Sequence, residues 1–269
     1  MDALAATEPA LFIDESGAGE PVILLHSSGL SGRQFRRLAS MLVERGFRAI
    51  VPDLSGHGRS PALPEPQPFS FRSDVAWLSE LLARRGPAHL VGHSYGAFVA
   101  LQAALAVPDR VRSLALFEPV AFGGVLDPIA DAEAREDLAR VELPWGASDE
   151  ERERWLRAFV EYWSGDGAWS GQREEVRAEL RRVGWAVREG VRSLVEDRTP
   201  ASAYRAIGAP VTLLTGERSP LAARTVVRVL GATLANAKVV TLAGAGHMAP
   251  LTHADAVNGA IVEALTSSR

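Results

Sequence analysis

The segment Gly92-His-Ser-Tyr-Gly96 holds the serine best placed for covalent chemistry. It follows the apolar pair Leu90-Val91 and precedes Ala97-Phe-Val-Ala-Leu101, so Ser94 is expected at a turn from strand to helix. A serine hydroxyl is a poor nucleophile unless it is presented on such a bend, where glycines two before and two after let the backbones pack tightly. The helix opening beyond Ser94 also aims its unpaired amides, and the positive end of its dipole, at negative charge developing there. Gly-x-Ser-x-Gly is a weak pattern alone; the strand, turn and helix around it give it weight.

A serine nucleophile needs a base, and the base needs an orienting partner. His247, in Gly244-Ala-Gly-His-Met248, directly follows the apolar run Val239 to Leu242. That puts it on a loop at a strand end, where catalytic residues gather in open parallel sheets. Among the other histidines, His26 and His57 sit in glycine- and serine-rich turns, and His57 and His93 read as hydrogen-bonding turn residues. His253 opens the last helix, and His89 and His93, four apart, fall on a strand and a turn rather than on one helix face, so no metal pair is expected.

The elements that must position these residues follow from apolar patterning. Val22-Ile-Leu-Leu25, Ala49-Ile-Val51, Leu90-Val91, Leu114-Ala-Leu-Phe117, Val211-Thr-Leu-Leu214 and Val239-Val-Thr-Leu242 are short continuous runs, as expected of strands buried on both faces. Between them Phe35, Leu38, Leu42 and Val43, and again Val75, Leu78 and Leu82, keep helical spacing. Alternating strands and helices predict an α/β fold, a mostly parallel central sheet with helices on both faces, because parallel strands need long crossovers. Phe12-Ile-Asp14 ahead of Gly17-Ala-Gly19 predicts an antiparallel edge hairpin leading into the first buried strand. Pro61 to Pro68, with four prolines, predicts a stiff surface connection.

From about Leu126 to Arg205 no buried-strand run occurs, while 18 acidic residues face 13 arginines and five of the six tryptophans gather. This pattern predicts an inserted helical lid over residues 126–205, with 1–125 and 206–269 forming the core. Most of the tryptophans would attach lid helices to the body, and one or two would face a pocket.

Composition narrows the function. The chain has 269 residues and a net charge of −4, with no basic run to track phosphates, so no nucleic-acid partner is expected. It has no cysteine, which excludes disulfides, thiolate metal sites and a cysteine nucleophile. Lys238 is the only lysine and opens a strand-like run, so Schiff-base and P-loop chemistry are not expected. Residues Met1 to Ala10 do not read as a signal peptide, and no apolar run approaches the roughly 18 residues of a membrane span. The expectation is a cytoplasmic protein without a membrane partner; oligomeric state is not readable.

Leu25-His-Ser-Ser-Gly29, Pro52-Asp-Leu-Ser-Gly-His-Gly-Arg-Ser60, Gly92-His-Ser-Tyr-Gly96 and Gly246-His247 resemble, in order, the successive signatures of the α/β-hydrolase superfamily, serine-nucleophile branch. The resemblance spans nearly the whole chain and implies hydrolysis of an ester, thioester, lactone or similar acyl compound through an acyl-Ser94, with no cofactor and a small-molecule acyl substrate. It leaves open an acyltransferase or carrier thioesterase on the same residues, and a receptor-like protein with slow turnover. Serine rather than aspartate at position 94 separates the chain from the branches that resemble haloalkane dehalogenases and epoxide hydrolases.

The same resemblance implies an oxyanion hole from the backbone amides of Ser28 and Tyr95, with Ser27 standing where the family usually has glycine. The family's most usual acid position, in Gly216-Glu-Arg-Ser-Pro220, is Ser219 here. Glu118, closing Leu114 to Phe117, or Glu217 would replace it. A carboxylate at the end of a buried apolar strand is costly unless partnered, and an imidazole would be such a partner, so Glu118 is favoured over Glu217 as the residue orienting His247.

Overall fold

A computed structural model of the protein describes residues 11–141 and 143–267. The reading of Met1 to Ala10 therefore lies outside the described residues. Seven strands form one sheet: β1 (Ile13–Gly17), β2 (Glu20–Leu25), β3 (Phe47–Pro52), β4 (Ala88–His93), β5 (Val111–Phe117), β6 (Val211–Gly216) and β7 (Ala237–Leu242). Their spatial order is β1-β3-β2-β4-β5-β6-β7, parallel throughout except for β1.

The helices are α1 (Arg36–Val43), α2 (Phe71–Arg85), α3 (Tyr95–Ala106), α4 (Phe122–Val125), α5 (Ala132–Ala139), α6 (Asp149–Ser164), α7 (Ala168–Gly171), α8 (Glu174–Glu196), α9 (Leu221–Thr233), α10 (Ala249–Thr252) and α11 (Ala254–Thr266). Alternation along β2 shows how they are recruited. Val22 and Leu24 point to one face, where Leu38 and Leu42 of α1 and Val257 and Ile261 of α11 cover them. Ile23 and Leu25 point to the other, into the larger core that Leu78 of α2, Phe98 of α3 and, further along the sheet, Val226 of α9 share. Both faces are covered, so the apolar runs of the central strands are continuous.

Two expectations are corrected. β1 is an antiparallel edge strand, but it pairs with β3, from Ile13 opposite Pro52 to Gly17 opposite Arg48, and makes no hairpin with β2. Gly17 and Gly19 turn the chain under Gly46 and Phe47: a Cβ on Gly19 would stand 2.2 Å from the Gly46 carbonyl oxygen. The chain thus leaves β1 and enters the sheet one place further in. Nor is β7 buried on both faces: it is the opposite edge strand, and Val239 is 45% exposed. Its apolar run reflects strand preference and one covered face rather than a central position.

Between β5 and β6 the regular elements among the described residues are all helices. Trp155, Leu156 and Val160 of α6, Trp169 of α7, and Leu180, Val183 and Val187 of α8 form a small core of their own. Ser148 starts α6 with a capping box: its hydroxyl accepts from the Glu151 amide, and the Glu151 carboxylate returns to the Ser148 amide. α8 is tied down to the segment after the prolines. Its Trp185 Nε1 donates to the Gln67 carbonyl at 2.9 Å, its Ser193 hydroxyl accepts from Phe71 N–H at 3.1 Å, and its Glu189 carboxylate accepts from Phe69 N–H at 3.2 Å. No described helix is long and apolar enough to cross a membrane.

Candidate active site

Sheet order decides which loops become neighbours. From β2 the chain crosses to β3 on one side and returns to β4 on the other, so the carboxyl ends of β2 and β4 lie side by side where the winding reverses. β5, β6 and β7 follow in line. The loops carrying Ser28, Ser94, Glu118, Ser219 and His247 therefore leave adjacent strand ends.

Ser94 sits between β4 and α3 with φ 55° and ψ −117°. Its flanking glycines are required by contact rather than by torsion. A Cβ on Gly92 would stand 2.4 Å from Ala97 Cα, and one on Gly96 would stand 2.1 Å from the Leu25 carbonyl oxygen. The bend is thus wedged between its own helix and β2. Among the described residues, Ser94 and Glu118 are the only non-glycine positions with positive φ. Such strain costs of order 1–3 kcal/mol per residue and persists where the surroundings impose it.

Glu118 follows β5 with φ 45° and is fully buried. Its Oε2 lies 2.6 Å from His247 Nδ1, while Oε1 accepts from the Thr215 hydroxyl at 2.7 Å and from Gly216 N–H at 2.8 Å. Burial opposes its charge more than any other influence. The His247 hydrogen bond and charge, with help from the Ser219 and Thr215 hydroxyls, outweigh it and hold the carboxyl below its ordinary value. Ser219 lies beside the carboxylate without forming a well-aligned hydrogen bond to it. Glu217, the alternative, is exposed and accepts from Gly244 N–H at 2.8 Å, which closes a surface turn away from the imidazole.

The loop after β2 is held from several directions. Ser27 N–H donates to Gln34 Oε1 at 3.2 Å, the Ser27 carbonyl accepts from Leu30 N–H and from His26 Nδ1, and Gly29 N–H donates to His57 Nε2. The Ser27 hydroxyl donates to the Ser28 carbonyl at 3.3 Å and so caps the loop. Between these fixed points, the Ser28 amide donates to no other described residue, nor does the Tyr95 amide at the start of α3. The Tyr95 ring is fixed too, its hydroxyl donating to Asp74 Oδ2 at 2.9 Å.

Three buried histidines complete this frame as neutral rings. His26 accepts from Leu54 N–H at Nε2, so its Nδ1 carries the proton given to Ser27; burial, and the neighbouring His57, bring its pKa down to about 3. Burial likewise lowers His57. His93 joins two candidate parts of the site. Its Nε2 donates to the His247 carbonyl at 3.0 Å and its Nδ1 accepts from Gln34 Nε2 at 3.0 Å, while burial first and the nearby His247 second push its pKa well down. A chain of hydrogen bonds thus runs from Ser27 through Gln34 and His93 to the His247 backbone. Sequence reading placed His93 in a hydrogen-bonding role but missed Gln34, which no local pattern marks. Asp53 braces the neighbouring turn, accepting from Gly32 N–H at 2.7 Å and Arg59 N–H at 2.8 Å.

The structure brings Glu118 to His247 but closes no hydrogen bond between His247 and the Ser94 hydroxyl. Trp163, from the last turn of α6, lies over the imidazole with ring centroids 3.9 Å apart and planes at 33°. The same indole lines a small chamber with Ser28, Ser94 and Tyr95. Of the five tryptophans of the insertion it is the one that lines this chamber; Trp155 and Trp169 are buried in the helical core, and Trp145 and Trp185 line a separate cleft. Among the described residues no group of three or more His, Asp or Glu side chains is gathered to hold a metal ion.

Residues 22–260 match the family model described as "Alpha/beta hydrolase family". The pimeloyl-[acyl-carrier protein] methyl ester esterase of Chromobacterium violaceum is 43% identical over 108 residues, 39% of this chain and 39% of that protein, so the match spans about two fifths of the relative's length. The 2-(acetamidomethylene)succinate hydrolase of Mesorhizobium japonicum is 31% identical over 252 residues, 88% of this chain and 84% of that protein. Among solved structures, a thermophilic esterase from Thermogutta terrifontis, malate bound, superposes with a TM-score of 0.73 at 23% identity over 98% of this chain and 96% of that one, a likeness of fold. On the family match and the near full-length relative, the chain belongs to the alpha/beta hydrolase family.

Proposed function

We propose that the protein is a serine hydrolase that cleaves a carboxylic ester or related acyl compound through an acyl-Ser94 intermediate. The observation that carries this reading is the 2.6 Å hydrogen bond from His247 Nδ1 to a buried carboxylate, beside a serine on a strained bend between strand and helix. With the Nδ1 proton given to Glu118, the second ring nitrogen keeps its lone pair for the Ser94 proton. Ser94 Oγ then attacks the acyl carbon while its proton passes to His247. The amides of Ser28 and Tyr95, which have no other described acceptor, stabilise the oxyanion. Collapse expels the alcohol, which takes the proton from His247. Water, deprotonated by His247, then attacks the acyl-enzyme, and His247 returns that proton to Ser94 Oγ as the acid leaves.

In this reading residues 126–205 are a lid, 1–125 and 206–269 the core, the address is cytoplasmic, and no cofactor takes part. Esterase and hydrolase activities among the relatives support the same reaction class. The test is turnover of p-nitrophenyl acetate and mass mapping of a fluorophosphonate adduct. One adduct at Ser94 is expected, with loss of both adduct and turnover in Ser94→Ala. Undiminished turnover in that variant would overturn the proposal, and products formed in water with and without added alcohol would separate hydrolysis from acyl transfer.

A further inference from the structure

The chamber at Ser94 has a volume of about 20 Å³, against the roughly 300 Å³ or more of ordinary ligand pockets. Apart from Ser28, Ser94 and the Tyr95 edge its walls are apolar, including Val120, Phe122, Leu138, Phe159, Val191 and Leu194. On the other side of Trp163 lies an open cleft of about 460 Å³ that reaches His247 and is lined by charged groups including Asp137, Arg140, Asp166 and Arg218. Trp163 borders both spaces, so its indole is the partition between them.

The two helices that meet here are held differently. α8 is fixed to residues 67–71 by the three hydrogen bonds described above. Trp163, in contrast, stands one residue before the end of α6, ahead of the exposed segment Gly165-Asp-Gly167. Both glycines adopt left-handed φ, 94° and 76°, and a Cβ at either would meet nothing within 4 Å. The backbone there stays tied, Gly165 N–H donating to the Glu161 carbonyl at 2.8 Å, but with no side chain packed at either glycine the helix end is a place where a small rearrangement can be absorbed, as at hinge positions. The indole is held by rings instead: Phe122 at 6.3 Å, Phe159 at 6.4 Å, Tyr162 at 4.7 Å and His247 at 3.9 Å between centroids.

We infer that Trp163 is the specificity-determining gate of this site, limiting the acyl group to a short, uncharged, apolar one. The inference rests on the proposed function and adds the substrate class. In the position observed, the indole closes the chamber and covers the imidazole. Turning it aside joins the chamber to the cleft and uncovers His247 for Ser94. The apolar acyl group then sits among Val120, Phe122 and Leu138, and the leaving group faces the charged cleft. A carboxylate on the acyl side has no cationic partner among the chamber walls and is disfavoured. Trp163 acts through the shape of the site and on His247, and takes no proton itself.

The test compares wild type, Trp163→Phe and Trp163→Ala on p-nitrophenyl acetate, butyrate and octanoate, with thermal unfolding of each. A methylene in a tight apolar pocket is worth about tenfold or more in discrimination. The octanoate-to-acetate ratio of kcat/KM should therefore rise at least about tenfold in Trp163→Ala, with Trp163→Phe between. Labelling of Ser94 by ethyl and octyl fluorophosphonates should shift in the same sense. Should the alanine variant not fold, the phenylalanine variant decides. A chain-length profile unchanged from wild type, whatever happens to absolute rates, overturns the gate while leaving the hydrolase standing. Wild type that neither turns over nor labels at Ser94 overturns the hydrolase reading and the gate with it.

Discussion

Replacing Glu118 by glutamine keeps the shape of the buried side chain and changes two properties, its negative charge and the ability of both oxygens to accept. In the native site Oε1 receives the Thr215 hydroxyl and the Gly216 amide, and Oε2 faces His247 Nδ1. The glutamine oxygen can satisfy only one side. Turning its amide nitrogen toward Gly216 N–H would set two donors against each other inside the protein, at about 1–3 kcal/mol for the unsatisfied group. The oxygen therefore stays with Thr215 and Gly216, and the amide nitrogen donates to His247 Nδ1. That fixes the imidazole in the tautomer with its proton on the nitrogen needed to accept from Ser94. Replacing a triad carboxylate by its amide lowers kcat on the order of 10⁴-fold, or about 5 kcal/mol of transition-state stabilisation. The assay is kcat/KM on p-nitrophenyl acetate for Glu118→Gln beside Glu217→Gln, with fluorophosphonate labelling rates and melting curves. The exposed Glu217 change should stay within a few-fold of wild type. Near-normal activity in Glu118→Gln, or collapse in Glu217→Gln alone, would refute the assignment.

Two further outcomes follow from the same frame. Gly96→Ala sets a Cβ 2.1 Å from the Leu25 carbonyl oxygen and 2.5 Å from that of His26, atoms of a central strand and its adjoining loop that cannot yield. It should cost about 3 kcal/mol by urea unfolding, and a loss below about 1 kcal/mol would show that the bend is not wedged as described. Stability should also fall on acidification, because His26, His57 and His93 resist protonation in the folded state. Their contribution is complete above the unfolded pKa of 6.5 and is lost as pH falls below it, for His26 down to about 3. Each adds up to about 1.4 kcal/mol per pH unit to the slope, so unfolding free energy that stays level between about pH 7 and pH 5 would contradict neutral buried rings.

The buried strands, the bend at Ser94 and a carboxylate beside the imidazole were readable for local reasons. An apolar run of four residues with turn residues at its ends specifies a covered strand, as Val22 to Leu25 shows. Gly92 and Gly96 announce a backbone approach that any side chain would block. Glu118 was legible because a charge closing the run Leu114 to Phe117 needs a partner, although its positive φ was not. β1 was read correctly as an antiparallel edge but given the wrong neighbour, and β7 was misread as central because apolarity reports that a face is covered without reporting how many neighbours a strand has. β1 next to β3, and β7 with Val239 exposed, are matters of sheet order.

By itself, then, the sequence determined which segments are strands and helices, where the chain bends at Ser94, and which side chains carry chemical capability, since each depends on a residue and its near neighbours. Only the tertiary structure decided that Glu118, not Glu217, meets His247, that Gln34 and His93 connect the Ser27 loop to the His247 backbone, and that Trp163 covers the imidazole. These contacts join segments far apart in the chain, and they exist because parallel strands in reversed winding bring their carboxyl ends into one row.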